Sequence, residues 1–244
     1  MTDPVDRVAR DLESRLDELA PGQDHLRTFL CTYQRTTLAV GRALDGGTFE
    51  DPAWVERWDV VFAEIYLTAL DAHLTGDAPP RPWRLAFNAP RELPGLVHVL
   101  LGMNAHVNYD LPQALLAVIS DDDFVDASLM ARRRRDHERI DLVLAGQVAA
   151  EDDQLGVNGR TLTNRVLQPL HRLSAKRLLR ESRTKVWHNT AELQTARLAG
   201  RAAYDARLAE LEVLSAARIG DLVVPGQVLL RLAVAGFGVT LPPD

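Results

Sequence analysis

Leu96-Val97-His98-Val99-Leu100-Leu101-Gly102-Met103-Asn104-Ala105-His106-Val107-Asn108-Tyr109-Asp110-Leu111-Pro112-Gln113-Ala114-Leu115-Leu116-Ala117-Val118-Ile119 is the stretch whose reading decides the fold. It is apolar on nearly every side, so at helical spacing it keeps no face for water and predicts a helix buried at the centre of its domain. The same run carries four polar side chains, Asn104, His106, Asn108 and Asp110. His106 and Asp110 are four residues apart and share one helix face. Asn104 and Asn108 are also four apart, about half a face round. A buried polar group without a partner costs roughly 1–3 kcal/mol, so four of them in one helix need a reason. Pro112 has no N–H to give the carbonyl of Asn108, and the helix is expected to kink or restart there.

Helical spacing also dominates on either side. Residues 3–19 place Val5, Val8, Leu12, Leu16 and Leu19 on one face, and Pro21-Gly22 ends that helix. A second helix is expected over about 23–44, stopped by Asp45-Gly46-Gly47. Asp51-Pro52 has the form of an N-cap followed by proline in the first turn, opening a third helix that ends near Thr75-Gly76. Residues 77–95 hold five prolines (79, 80, 82, 90 and 94) and are expected as a crossing loop with one short helix around Trp83–Phe87. Its expected role is to cover one end of the polar centre, with Trp83 packed inward and Arg84 near the pocket; a packed surface loop is the other reading.

Ser120 and Asp121–Asp123 cap a helix expected over about 124–150. A polar loop at 151–159, a helix over about 161–180, and a long helical stretch over 182–218 bent near Gly200 follow. A turn at Asp221–Gly226, a short apolar helix near 226–235 and a loose tail over about 236–244 close the chain. No alternating strand pattern and no internal repeat is present. The expected fold is all-α: a single domain, residues 1–244, built as a multi-helix bundle around the 96–119 helix.

The composition fits a globular protein that needs no staples. The chain has 244 residues, 46% hydrophobic and 25% charged, with a single cysteine, Cys31. One cysteine excludes an intramolecular disulfide framework and a cysteine-based zinc site, and Cys31 falls on an apolar helix face. No apolar run approaches the roughly 20 residues needed to cross a bilayer, and Met1-Thr2-Asp3 does not open a secretory signal. A cytoplasmic protein with no membrane partner is expected. With 28 basic and 34 acidic residues, net charge −6, the chain lacks the electrostatic footprint of a nucleic-acid binder. The Arg132–Arg135 run is short and flanked by acids. There is no phosphate-binding glycine loop, dinucleotide fingerprint, nucleophile elbow or His-Glu-x-x-His zinc motif.

Two readings of the polar centre compete. One is a metal or acid–base site: an imidazole and a carboxylate one turn apart suit zinc or iron, or a carboxylate orienting a general-base histidine. The other is a buried hydrogen-bond network that pins the central helix to its neighbours. The next helix repeats the spacing at His137 and Asp141, and facing pairs from neighbouring helices are a known way to build a metal site in a bundle. A solvated, charge-laced face explains them equally. Tyr66 and Asp59 share a face of the third helix. His73 and His188 read as surface or half-exposed residues, and His25, His98 and His171 show no partner at a suitable spacing.

The segment Gly102-Met103-Asn104-Ala105-His106-Val107-Asn108-Tyr109-Asp110-Leu111 resembles the central motif, GMNAHINxDL, of a bacterial all-helical family of unknown function. The resemblance takes in Trp58–Leu70, Pro82–Phe87, Asp136–Leu144 and Trp187-His188-Asn189, and so covers about residues 5–235. It implies an all-helical fold and a shared role for Asn104, His106, Asn108 and Asp110, but brings no activity with it. The family pattern has an aromatic residue at the position of His137 and an asparagine at that of Asp141, which makes Asp136 a better candidate than His137 for a shared role. A more distant analogy, to helical zinc phospholipases C with His-x3-Asp pairs, lacks the histidines for a trinuclear site.

The expected function is an enzyme acting on a small organic molecule. His106 and Asp110 are the catalytic pair, and Asn104, Asn108, Tyr66 and Arg84 place the substrate. His106, Asp110 and Asp136 are candidate ligands for a divalent metal ion, zinc or iron, which would make hydrolysis through a polarised water the natural chemistry. Without metal, the His106–Asp110 pair suits proton transfer or cyclisation. The alternative is a non-catalytic helical binding or scaffold protein whose polar centre is structural.

Overall fold

A computed structural model describes residues 4–155 and 184–223, and every described element is helical. The elements are α1 (Pro4–Glu18), α2 (Asp24–Asp45), α3 (Pro52–Thr75), α4 (Arg81–Phe87), α5 (Gly95–Ala105), a π-helical turn (His106–Asp110), α6 (Leu111–Val118), α7 (Asp121–Val125), α8 (Ala127–Leu155), α9 (184–199) and α10 (Arg201–Val223). Among the described residues there is no strand, and no helix is long and apolar enough to cross a membrane.

The local signals act as the physics requires. The Asp51 carboxylate accepts from Trp54 N–H at 3.0 Å, with Pro52 in the first turn of α3. Gly76, at φ 87°, closes α3 in the left-handed conformation that a side chain would resist. Ser120 and Asp123 form a reciprocal capping box on α7. Gly200, at φ 117°, separates α9 from α10.

Several boundaries differ from expectation. The helix expected from 124 is two helices, because Asp126 (φ −85°, ψ 97°) breaks the chain between α7 and α8. Helix α8 runs on to Leu155, over the start of the expected polar loop. Helix α10 likewise continues to Val223, over residues expected to turn. The remainder of the 151–159 loop, the 161–180 helix, the 226–235 helix and the tail lie outside the described residues.

The 95–118 segment is central, as its apolarity requires. Helix α5 packs on α2, α4 and α10, and α6 packs on α3. Leu101, Leu115 and Ile119 are essentially without exposure. The burial is not complete all round, since Met103 is 40% exposed. One aliphatic and aromatic core cluster gathers Leu12, Leu30, Phe29, Tyr66, Trp83 and Leu101; a second gathers Trp54, Trp58, Leu115, Val186 and Trp187.

The contact between α2 and α5 depends on one glycine. A Cβ added at Gly102 would lie 2.4 Å from Cδ2 of Phe29, whose ring is buried. No real side chain fits that gap, so Phe29 would have to leave its place. Gly102→Ala gains about 1 kcal/mol of helix propensity and loses about 1–3 kcal/mol to overpacking. The expected outcome is a variant less stable by up to about 2 kcal/mol in urea unfolding; a raised midpoint would contradict this packing.

Candidate functional site

The π-helical turn follows from Pro112. In a regular α-helix the N–H at position 112 would bond the carbonyl of Asn108, and proline has none to give. Ala105, His106, Asp110 and Leu111 all keep right-handed helical angles, and Leu111 N–H reaches back five residues to the carbonyl of His106. The widened turn absorbs the fault. Such turns are concentrated at functional sites, and this one spans the two residues of the polar centre.

His106 and Asp110 meet as their spacing predicts. His106 Nδ1 lies 2.9 Å from Asp110 Oδ2, with the imidazole 4% exposed and the carboxyl group 0%. Trp83 Nε1–H donates to the same carboxyl oxygen at 2.8 Å. Trp83 comes from α4, so the 77–95 segment does cover this centre with that side chain turned inward. Arg84, one residue on, is exposed and stands outside it.

Among the described residues, five aromatic rings surround the imidazole. Phe62 stacks on it face to face at 3.5 Å between centroids, and Tyr33 meets it edge-on at 4.5 Å. Tyr66, Trp83 and Phe29 stand at 5.9, 5.9 and 6.1 Å. Tyr66, expected as a substrate-placing residue, belongs to this cage. Phe29, Tyr33 and Phe62 were not legible as site residues. Their spacings (29 and 33 on α2; 59, 62 and 66 on α3) place them on common faces, but which helix faces which is a long-range fact.

Burial sets the electrostatics. It drives the His106 pKa well below its ordinary value and the Asp110 pKa well above, the latter opposed by the Trp83 hydrogen bond. Both effects favour a pair with no net charge. The 2.9 Å contact admits two neutral arrangements, Nδ1–H donating to Asp110 Oδ2 or a protonated Oδ2 donating to Nδ1. With the proton on Nδ1, Asp110 Oδ2 accepts from both Trp83 Nε1–H and His106 Nδ1–H, and the acid proton sits on Oδ1. That leaves His106 Nε2 as a bare lone pair. Neither Nε2 nor Oδ1 has a hydrogen-bond partner among the described residues. The same holds for Tyr33 Oη and Asp59 Oδ2. Burial raises the Tyr33 phenol, with further contributions from Asp59 and Asp110, and pushes Asp59 up to about 7.

The other expected site residues lie elsewhere or are otherwise engaged. Asn104 Nδ2 donates to the Leu100 carbonyl at 2.8 Å, and Asn108 Nδ2 donates to Asn104 O and Oδ1 at 3.0 and 3.2 Å. Both amides are half-buried and bond back onto their own helix. Asp136 is 0% exposed but accepts from the backbone N–H groups of Glu50 and Asp51, at 2.8 and 2.9 Å, and from Arg139 at 2.9 Å. It pins the α2–α3 connection to α8, helped by the Arg133–Asp51 ion pair and by Arg133 lying over the Trp54 ring. A buried carboxylate held in this way is fully satisfied. His106, Asp110 and Asp136 therefore do not assemble as a ligand set. Among the described residues, no group of three or more His, Cys, Asp or Glu side chains could hold a metal ion. His137 is buried, with its ring 5.1 Å from Trp58 and 5.6 Å from Trp187, while the side chain of Asp141 lies outside the described residues.

Asp59 gives the centre a pH signature. Burial pushes its folded pKa up to about 7, well above the ordinary carboxylate range. The folded state thus binds the extra proton, and the stability that this proton secures is present below the unfolded pKa. It is lost as pH rises through the folded value, by at most about 4 kcal/mol at roughly 1.36 kcal/mol per unit. Asp59→Asn removes this dependence. Its stability relative to wild type is expected to rise steadily between about pH 4 and pH 7 in paired urea titrations; a flat difference would contradict the burial of this carboxyl group.

The family comparison agrees with the geometry in giving no activity. No curated protein and no solved structure matches the chain. A family model described as "Family of unknown function (DUF5995)" matches residues 5–225, which takes in every helix of the site. The chain belongs to the DUF5995 family.

Proposed function

We propose that this protein is an enzyme acting on a small polar organic molecule, with His106 as general base and Asp110 orienting its ring. The observation that carries this reading is a buried imidazole held at Nδ1 while Nε2 has no partner among the described residues. A general-base histidine needs one nitrogen fixed and the other free, and proton transfer by such a group contributes about 10²–10⁴-fold to rate. Asp59, with a pKa of about 7, is a second acid–base group whose charge is felt by Tyr33, and Tyr33 packs on His106. The chemistry that fits is proton transfer within a substrate, as in isomerisation or cyclisation. Asp136, the third ligand that metal-assisted hydrolysis would have drawn on here, is committed to the α2–α3 backbone and Arg139. Substrate entry requires the seven-residue α4, which carries Trp83, to move aside. Cytoplasmic residence and the absence of a nucleic-acid partner belong to the same proposal, supported by the net charge of −6.

One observation favours the second reading, a non-catalytic binding or scaffold protein. The imidazole is closed in on its face by Phe62 and is 4% exposed. His106→Asn, similar in size and still polar, separates the two. In a ligand-observed NMR screen of small organic acids, amides and alcohols, the enzyme reading expects a compound class that binds wild type. That binding falls at least about tenfold in a variant that keeps its helical circular dichroism, and wild type converts the bound compound. Identical binding by both proteins, or a screen with no compound bound, would leave His106 structural and overturn the proposal.

A further inference from the structure

Two histidines that sequence spacing left unpaired, His25 and His98, come together at one end of the bundle near His73, which read as a surface residue. His25 lies in the first turn of α2, His98 in α5 and His73 in the last turn of α3. The rings of His25 and His98 are 5.6 Å apart, inclined at 58°. His73 packs on Phe87 at 5.0 Å, and burial, with His25 close by, lowers the pKa of both His73 and His98. These contacts join residues 73 positions apart in the chain, 25 and 98, which no local pattern could show.

The hydrogen bonds fix which nitrogen of each ring is free. His25 Nε2 stands 3.1 Å from the carbonyl oxygen of Phe87. A carbonyl can only accept, so Nε2 carries the proton and Nδ1 is a lone pair. Nδ1 is buried and has no partner among the described residues. For His98, backbone hydrogen bonding at Arg91 and Leu93 favours a proton on the ring, and the nitrogen left over is Nε2. That nitrogen too is buried and without a partner among the described residues, on a residue 5% exposed. Two neighbouring imidazoles thus each anchor one N–H on the backbone and keep the other nitrogen bare.

We propose that His25 and His98 form a two-imidazole site for a zinc-class transition-metal cation, where the start of α2, the end of α4 and the α4–α5 connection meet. Metal-binding histidines characteristically give their second ring N–H to a backbone carbonyl or a carboxylate, which fixes the tautomer and raises the basicity of the ligating nitrogen. Both rings here match that pattern before any metal arrives. Neutral imidazole suits zinc, copper, iron and nickel ions rather than magnesium or calcium. Two protein ligands leave the remaining coordination positions to water. This site shares no residue with the His106 centre and does not depend on the reading of that centre.

The test is Zn²⁺ binding to the full chain at neutral pH, followed by equilibrium dialysis with metal analysis and by the imidazole signals in ¹H–¹⁵N NMR. The expected result is one equivalent of Zn²⁺ that shifts the His25 and His98 ring signals. Removing a mere outer partner of a ligand costs about 10–100-fold in affinity; His25→Gln and His98→Gln each remove a direct ligand and should weaken binding at least that much. His188→Gln removes an exposed imidazole and should leave binding unchanged. Should a Gln variant fail to fold, the wild-type NMR shifts still decide the matter. Absence of stoichiometric binding to wild type, or Zn²⁺ that leaves the His25 and His98 signals in place, would overturn the proposal.

Discussion

Taking an imidazole and a carboxyl group out of water is expensive unless each meets a partner and their charges cancel. The His106–Asp110 hydrogen bond meets that condition inside the aromatic core, and the central architecture is arranged around it. Trp83 brings α4 onto the pair by donating to the same carboxyl oxygen. Phe62 and Tyr66 bring α3, and Phe29 and Tyr33 bring α2. Each of these residues closes the pair off from water and so strengthens the hydrogen bond that the others depend on.

Two backbone features make this geometry available. Gly102 lets Phe29 approach α5 more closely than any side chain would permit. Pro112 withdraws one N–H, and the helix answers with a wide turn at His106–Asp110. Neither feature touches the chemistry directly. Together they let α2 and α5 pack closely and carry the helix unbroken past the polar pair. The result is asymmetric: among the described residues Nδ1 is engaged, Nε2 is not, and polar atoms of Asp110, Tyr33 and Asp59 without a partner there accompany it. A purely structural network would be expected to satisfy these groups.

What could be read from the chain was local. Helical periods, the Asp51-Pro52 start, the Gly200 break and the His106–Asp110 spacing involve residues within a turn or two, where helix geometry alone fixes the relation. The inward Trp83 was legible because a large apolar ring in a proline-rich crossing has only the core to go to. The aromatic cage was not legible, since Phe29, Phe62 and Trp83 are joined only by how three helices pack. Asp136 reads as a ligand in sequence, yet besides Arg139 its partners are backbone N–H groups at residues 50 and 51, which carry no side-chain signature. Asn104 and Asn108 read as substrate contacts, but short amides on a helix can bond the carbonyl one turn back, and these do. The His25–His98 pair is long-range in the same sense.

The central claim is that the buried pair carries no net charge and holds its histidine proton on Nδ1. Selective ¹⁵N labelling of histidine, read by long-range ¹H–¹⁵N correlation across the pH range of the folded protein, reports the protonation of each ring nitrogen. The account predicts that His106 stays neutral well below the ordinary histidine pKa, with Nδ1 protonated and Nε2 bare. An imidazolium at neutral pH, or a proton resident on Nε2, would contradict it.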